Sequence, residues 1–190
     1  MKRSAVTLLA MATTVFTFSG YVFAEAPSNG MQLMAGNARL TQRLDTKSAT
    51  AGEKITAKLT NTIKTPEGLT LPNGTELLGR VDQVKSSNDR SPAKLVLTFD
   101  QAELKDGKQV PIKATLVGIS PAGSIPQLPE KVARDDSFLQ EPGTLSGVSM
   151  HSAVKADSSV TLTSRDKNID LRNGTQMLIA VAPASVNNPG

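Results

Sequence analysis

Apolar and polar residues alternate through most of the chain beyond residue 38. In the stretch KITAKLT, Ile55, Ala57 and Leu59 fall on one side, and polar residues fill the positions between them. A half-buried strand requires this period of two, because successive side chains point to opposite faces of a sheet. The same alternation predicts a strand through ARLTQRL, where Leu40 and Gln42 share one side. Further strands are predicted at residues 75–84, 94–100, 109–117, 159–164 and 177–182.

The segments between these strands carry turn signals. They read TPEG at 65–68, SSNDRSP at 86–92 and KDGK at 105–108. Asp-Gly between alternating segments indicates a hairpin, because glycine accepts the positive φ that tight primed turns require. No segment of helical length shows a period of 3.6. A flat sheet of five or more strands would leave two open edges, so the sequence predicts an all-β fold, either a small antiparallel barrel or a two-sheet sandwich.

One segment occurs twice in the chain. LPNGTELLGRV at 71–81 returns as LRNGTQMLIAV at 171–181. Asn-Gly-Thr is an N-glycosylation sequon, and its backbone N–H groups could also cradle an anion. It is equally suited to a tight turn. Nothing basic flanks both copies in the same way, and each copy precedes an apolar strand. We therefore interpret the repeat as two similar strand–turn–strand corners of one sheet.

The chain begins with two basic residues, followed by an uncharged, mostly apolar run over residues 4–19. Small residues follow at Val22 and Ala24, so residues 1–24 are predicted to be a signal peptide cleaved after Ala24. The apolar run is shorter than the roughly 20 residues of a membrane-spanning helix. The chain has no cysteine to carry a lipid anchor. We therefore expect a periplasmic or secreted protein of a bacterial envelope, with no membrane span after cleavage.

The remaining residues suit one domain that needs neither a metal nor a disulfide to stabilise its core. We expect a flexible lead-in at 25–37, a single β domain at 38–183 and a flexible tail at 184–190. Within the domain, residues 118–147 are dense in proline and glycine and exceed the usual length of a connection. This segment is predicted to be a loop excursion with short helical turns. It folds over one end of the barrel, contacts a partner or is simply mobile, and the sequence leaves these alternatives open.

Charge and aromatic content argue against nucleic acid as a partner. The net charge of +4 falls to +2 without the two basic residues of the signal peptide, and the remaining charges are interspersed. Four of the six aromatic residues lie in the signal peptide, which leaves Phe99 and Phe138. Stacking platforms for bases need several exposed rings. Alternation predicts that Phe99 belongs to the core, and Phe138 is expected to cover the core edge from the loop.

The sequence contains few residues suited to catalysis. Acyl transfer needs a nucleophile, a base and an orienting acid, yet the chain has no cysteine and a single histidine, His151, outside any clear strand. One histidine does not make a zinc site. Glu130, Asp135, Asp136 and Glu141 could recruit Ca²⁺, but their spacing lacks the alternating oxygen ligands of a calcium loop. We therefore assign no catalytic, metal-binding or cofactor-binding residue and expect no enzyme.

Three segments in a fixed order resemble a known family. They are LDTKSATAGEKITAKLT, GLTLPNGTELLGRVDQV and KLVLTFDQAELKDGKQVPIKATL, and they resemble the C-terminal β-barrel domain of the TrbI-like conjugation and type IV secretion channel proteins. Later segments, GTLSGVSMHS and NIDLRNGTQMLIAV, are similar to further barrel strands of that family. The residues that fit the family's turn and strand motifs are Pro72, Gly74, Thr75, Leu78, Gly79, Asp106, Gly107, Pro111 and Ile112. The resemblance implies a barrel and an envelope setting.

The chain also departs from that family. Channel-forming members carry an inserted helical pair, an inner-membrane helix and a proline-rich linker, whereas this chain has no apolar insertion between His151 and Ser159. It has SSNDRSPAK where members show a Gly-Gln-x-Arg element. Channel function is therefore not implied.

Three functions remain, and they are not equally favoured. The first is a non-catalytic envelope scaffold or interaction module that binds an envelope protein through a strand edge or the long loop. The alternative is a binder of an envelope polymer or small ligand at the barrel mouth. The third is a carboxylate-dependent hydrolase, since paired Asp and Glu can act as acid and base. The oligomeric state stays open.

Overall fold

The computed structural model describes residues 33–88, 91–124, 145–153 and 159–184. These residues form strands joined by turns, without a helix among them. The strands are β1 (Met34–Leu40), β2 (Leu44–Asp45), β3 (Lys54–Leu59), β4 (Ile63–Lys64), β5 (Thr70–Leu71), β6 (Glu76–Lys85), β7 (Ala93–Glu103), β8 (Gln109–Ser120), β9 (Ser149–Ala153), β10 (Ser159–Ser164), β11 (Asp170–Leu171) and β12 (Gln176–Pro183).

Six strands close into an antiparallel barrel. Their order is β6-β3-β1-β12-β8-β7, and pairing between β6 and β7 closes the ring. Two short antiparallel pairs, β4–β5 and β2–β11, stand beside it. The all-β prediction is confirmed, with a barrel rather than a sandwich. Closure pairs β6 with β7, the two outermost strands of the six-stranded sheet. Neither strand then keeps the open edge that it would have in a flat sheet.

The strand β7 pairs with two different strands along one of its edges. Its first half, from Ala93 to Thr98, pairs with β10, and its second half pairs with β8. The strand β9 then pairs with the far side of β10. The Ser152 hydroxyl donates to the carbonyl of Leu116, and the Thr115 hydroxyl donates to the carbonyl of Ser159 at 3.1 Å. The β9–β10 hairpin is therefore tied to β8 as well as to β7.

Alternate side chains of the barrel strands point inward and fill its interior. Phe99 is 1% exposed, as the alternation predicts. Small barrels generally fill their interior positions with side chains. Burying each large side chain contributes about 1.5–3 kcal/mol. The largest fully buried side chains, which come from the barrel strands and from the short pairs beside them, are Phe99, Leu40, Leu44, Ile55, Leu59, Ile63, Leu71, Leu77, Leu95, Leu97, Leu116 and Ile119.

The barrel contains an internal pseudo-twofold. ARLTQRLDT at 38–46 and AKLTNTIKT at 57–65 match in sequence, and they run antiparallel across the β1–β3 pair. Their backbones make reciprocal bonds just beyond the pair. The Thr41 N–H donates to the Thr56 carbonyl at 3.0 Å, and the Thr60 N–H donates to the Asn37 carbonyl at 2.8 Å. The two segments thus occupy equivalent environments.

The Asn-Gly-Thr repeat obeys the same symmetry. In the first corner, the Gly74 N–H donates to the Leu59 carbonyl, and the Leu59 N–H donates to the Thr75 carbonyl, both at 2.9 Å. The second motif makes the same two bonds to Leu40, at 2.8 and 2.9 Å. The two motif glycines have φ of +88° and +84°. The prediction of two similar corners is confirmed, and the anion-cradle interpretation is wrong because the glycine N–H groups already have backbone acceptors.

A β-bulge follows each corner at the same offset. The register shifts between Leu78 and Gly79 of β6, where the partner strand β7 has the extra residue Asp100, and between Leu178 and Ile179 of β12, where the partner strand β8 has the extra residue Val117. A bulge bends a strand and increases its twist, which a small barrel needs in order to close. The corner and the bulge therefore recur together as one unit of architecture.

Several boundaries differ from those predicted. The strand β1 begins at Met34, inside the expected lead-in, because residues 34–39 pair with β12. It ends at Leu40, so Gln42 lies in a bend rather than in the strand. The strand β8 runs to Ser120, which moves the start of the loop excursion. His151 lies inside β9, not outside a strand.

Other predictions fall outside the described residues. These are the signal peptide at 1–24, most of the lead-in, the helical turns expected within 125–144, and all but the first residue of the tail.

Gly79 provides a test of the bulge. A Cβ at this position would lie 2.1 Å from the Thr98 carbonyl oxygen and 2.9 Å from Phe99 Cδ1. We expect Gly79→Ala to lower the free energy of unfolding by about 3 kcal/mol, because a backbone oxygen in a closed ring has little room to move.

Gly107→Ala is the matched control. Gly107 has φ of +80° with nothing within 4 Å of an added Cβ, so only the backbone cost of about 1–2 kcal/mol applies. Urea denaturation measures both variants. Equal losses would show that the β6–β7 bulge is not closely packed.

Candidate functional site

A half-open pocket of about 240 Å³ lies beside the second Asn-Gly-Thr corner. It is lined by Leu145, Ser146, Val148 and residues 167–172. We call it the corner pocket. Two stretches of chain, at 145–148 and at 167–172, meet there.

The floor of the pocket is apolar and firmly held. Ile169 and Leu171 are 1% and 0% exposed. The Thr46 N–H donates to the Ile169 carbonyl at 3.0 Å, and the Ile169 N–H donates to the Thr46 hydroxyl oxygen at 3.1 Å. Leu171 continues this ladder by pairing with Leu44 in the β2–β11 sheet. Residues 169–171 therefore form a rigid edge.

Asn168 fixes one wall. Its side-chain oxygen accepts from the Ser87 N–H at 2.8 Å and from the Thr46 hydroxyl at 3.2 Å. The opposite wall is a turn in which the Val148 N–H donates to the Leu145 carbonyl at 3.0 Å. Leu145 and Val148 are half-buried and pack against the barrel core.

The single carboxylate of the lining is already paired. Arg43 donates from Nε to Asp170 Oδ1 at 2.8 Å and from Nη2 to Oδ2 at 3.1 Å. The same guanidinium reaches Asp45 at 3.2 Å. The hydrogen bond from Arg43 lowers the pKa of Asp170 below its ordinary value, and it raises the pKa of Arg43. Asp170 is therefore ionised at neutral pH, with both oxygens occupied.

Two exposed cations complete the lining. The Arg172 side chain is 82% exposed, and its Nε lies 4.0 Å from Asp170 Oδ2, beyond hydrogen-bonding distance. Lys167 is exposed on the same rim. The lining therefore carries two cations, Lys167 and Arg172, against the one carboxylate of Asp170, beside the half-buried apolar side chains of Leu145 and Val148.

The first corner shows which of these features the fold itself requires. There the Thr65 N–H donates to the Leu69 carbonyl at 2.9 Å, and the Leu69 N–H donates to the Thr65 hydroxyl oxygen at 3.2 Å. These bonds match those of Thr46 and Ile169. Yet the first corner has Thr70 and Pro72 where the second has Asp170 and Arg172.

The charged residues of the second corner are therefore additions to a corner that forms without them. These residues were not predicted from the sequence, although the differences between the two repeats are visible in it. The useful signal lay in the positions at which the two repeats differ, not in those at which they agree.

The residues considered earlier for chemistry do not meet in this pocket. His151 is exposed on β9. Within the described ranges, no three His, Cys, Asp or Glu side chains are grouped so as to hold a metal ion. The Ca²⁺ candidates Glu130, Asp135, Asp136 and Glu141, together with Phe138, lie outside those ranges.

Across residues 33–88, 91–124, 145–153 and 159–184, no helix has the length and apolar character needed to cross a bilayer.

No protein-family model matches the chain, and no curated protein matches it. Among solved structures, the chain is similar to ComB10 of the Com type IV secretion system of Helicobacter pylori, with 10% sequence identity and a TM-score of 0.39. The alignment covers 81% of this chain and 85% of that chain. A likeness at this level says nothing of function.

The Arg43–Asp170 pair predicts a pH dependence of stability. The folded pKa of Asp170 is lowered. Its carboxylate therefore stabilises the folded chain above the unfolded pKa of about 4. This contribution is lost as the pH falls through the lowered folded pKa. We expect wild type to be more stable than Asp170→Asn at pH 7, and the difference to disappear in acid.

Urea denaturation from pH 7 to pH 2 measures this difference. Added salt should shrink it at neutral pH, because the pair is partly exposed. A difference that is independent of pH would show that the amide, not the charge, disturbs the corner.

Proposed function

We propose that this chain is a non-catalytic envelope scaffold or protein-interaction module, and that the corner pocket is its contact surface. The proposal rests on the difference between the two Asn-Gly-Thr corners of the same chain. One corner forms with Thr70 and Pro72, whereas its symmetry mate carries Asp170 and Arg172 beside an open pocket. Asp170 is held within the chain by Arg43, so the exposed Arg172 is the addition that contact with another molecule explains best.

The size of the pocket favours a protein over a small ligand. Small-molecule sites usually measure about 300–1,000 Å³. The corner pocket, at about 240 Å³, suits one or two side chains of a partner. The barrel interior is filled by its own side chains, such as Leu40, Leu59 and Phe99. This packing counts against the alternative of a ligand held at the barrel mouth.

The strand edge proposed from the sequence is less well supported. The strand β9 ends the strand order, but Ser152 donates to Leu116 in β8. That hydrogen bond places β9 against the barrel, so its edge is not simply open to a partner. The long loop lies largely outside the described residues. The corner pocket is therefore the preferred surface.

The cellular setting rests on sequence. The predicted signal peptide supports an envelope location, and the segments that resemble TrbI-like barrels support a setting related to type IV secretion. We propose both on that basis. A catalytic role is not proposed, because His151 is not among the residues that line the pocket and the single lining carboxylate is held by Arg43.

Site-specific photo-crosslinking tests the proposed function. A photoreactive amino acid replaces Ser146, which is exposed in the pocket, and in a matched variant replaces Glu67, which is exposed in the first corner. Each variant is expressed in its native envelope and irradiated. We expect one discrete crosslinked protein from position 146 and none from position 67.

Two results would contradict the proposal. A crosslink of equal yield from both positions would show that the pocket is not the contact surface. Retention of envelope polysaccharide on the immobilised chain, with no protein crosslinked at position 146, would favour the polymer-binding alternative.

A further inference from the structure

We infer that the corner pocket binds an acidic peptide segment of a partner protein that inserts one apolar side chain. This inference rests on the proposed function and goes further by naming the chemistry of the partner. It follows from the charge of the rim, the apolar sides of the pocket and the asymmetry between the two corners.

The exposed cations of the rim favour a partner segment that carries negative charge. Lys167 and Arg172 are exposed cations on the lining, and Asp170 is the only lining carboxylate among the described residues. Both oxygens of Asp170 accept hydrogen bonds from Arg43. Since Arg172 is too far from Asp170 for a hydrogen bond, its guanidinium can donate to a carboxylate that arrives from outside. An acidic segment would satisfy both exposed cations.

The sides of the pocket favour an apolar side chain. Leu145 and Val148 are half-buried and supply its accessible apolar surface, whereas Ile169 and Leu171 beneath them are at most 1% exposed. A cavity of about 240 Å³ with such sides suits a side chain such as leucine better than a fully charged segment. The partner should therefore present an apolar anchor flanked by acids, in which the anchor excludes water from the ion pairs.

The second corner is open where the first is closed by its own turn. In the first corner, Thr65 and Leu69 are joined by a three-residue connection at 66–68. In the second corner, the equivalent residues Thr46 and Ile169 are 123 positions apart. No local hairpin joins them, and the described residues leave the corner pocket beside this corner for a segment from another molecule.

Fluorescence anisotropy with defined peptides tests the inference on the purified full chain. The labelled probe is Glu-Glu-Leu-Glu-Glu. Its controls are Glu-Glu-Gly-Glu-Glu, which lacks the anchor, and Lys-Lys-Leu-Lys-Lys, which reverses the charge. We expect the first peptide to bind at least about tenfold more tightly than either control, and its binding to weaken as salt rises.

A matched pair of charge reversals locates the site. The pocket variant is Lys167→Glu with Arg172→Glu. The control variant, Lys64→Glu with Lys108→Glu, makes the same change in net charge at exposed positions away from the pocket. All four positions are exposed, and thermal unfolding verifies that both variants remain folded. We expect the pocket variant to lose at least about tenfold in affinity and the control variant to stay within about twofold.

Equal weakening in both variants, or equal binding of the basic peptide, would overturn the inference, because either shows attraction to net charge only. Absence of binding by all three peptides would overturn it as well. The crosslinking experiment separates these failures from failure of the proposed function. A protein crosslinked at position 146 but not at 67 would keep the interaction module while rejecting an acidic partner segment.

Discussion

The structure depends on reciprocal backbone hydrogen bonds between two buried leucines and two Gly-Thr turns. Leu40 and Leu59 are at most 1% exposed, so their backbone N–H and carbonyl groups need partners within the protein. Each finds both partners in one Asn-Gly-Thr motif. A typical bond of this kind contributes only about 1 kcal/mol, but leaving a buried group unpaired costs more. This requirement brings β6 to β3 and β12 to β1, and it thereby sets the order of the ring.

The pseudo-twofold also separates architecture from additional chemistry. Two corners that make the same backbone bonds act as controls for each other, so residues common to both reflect the demands of folding. The threonines Thr46 and Thr65 are of this kind, because each completes the same pair of bonds to an apolar residue. Residues found in only one corner, such as Arg172, are not explained by the demands of folding. A single chain thus supplies a comparison that usually requires a set of relatives.

Much of the barrel was predictable from the sequence, because a period of two and glycine turns are local signals. The match between residues 38–46 and 57–65 was missed, since Arg43 against Thr62 and Asp45 against Lys64 differ in charge and obscure it. The strand β9 was missed because SMHSA is short and does not alternate clearly. The corner pocket was not predictable, because it depends on Thr46 meeting Ile169 across 123 positions. The distinction is one of range: local patterns specify strands, whereas long-range pairing creates the site.

The place of β1 in the ring has a consequence for the order of folding. It pairs with β12, so Met34 lies opposite Val181, near the other end of the described chain. A chain made from its N-terminus cannot complete this pairing until its last strand has emerged. Contacts between such distant residues also slow folding. Until β12 is available, β1 therefore lacks one of its two neighbours, and the partly folded chain has to stay unaggregated during that interval.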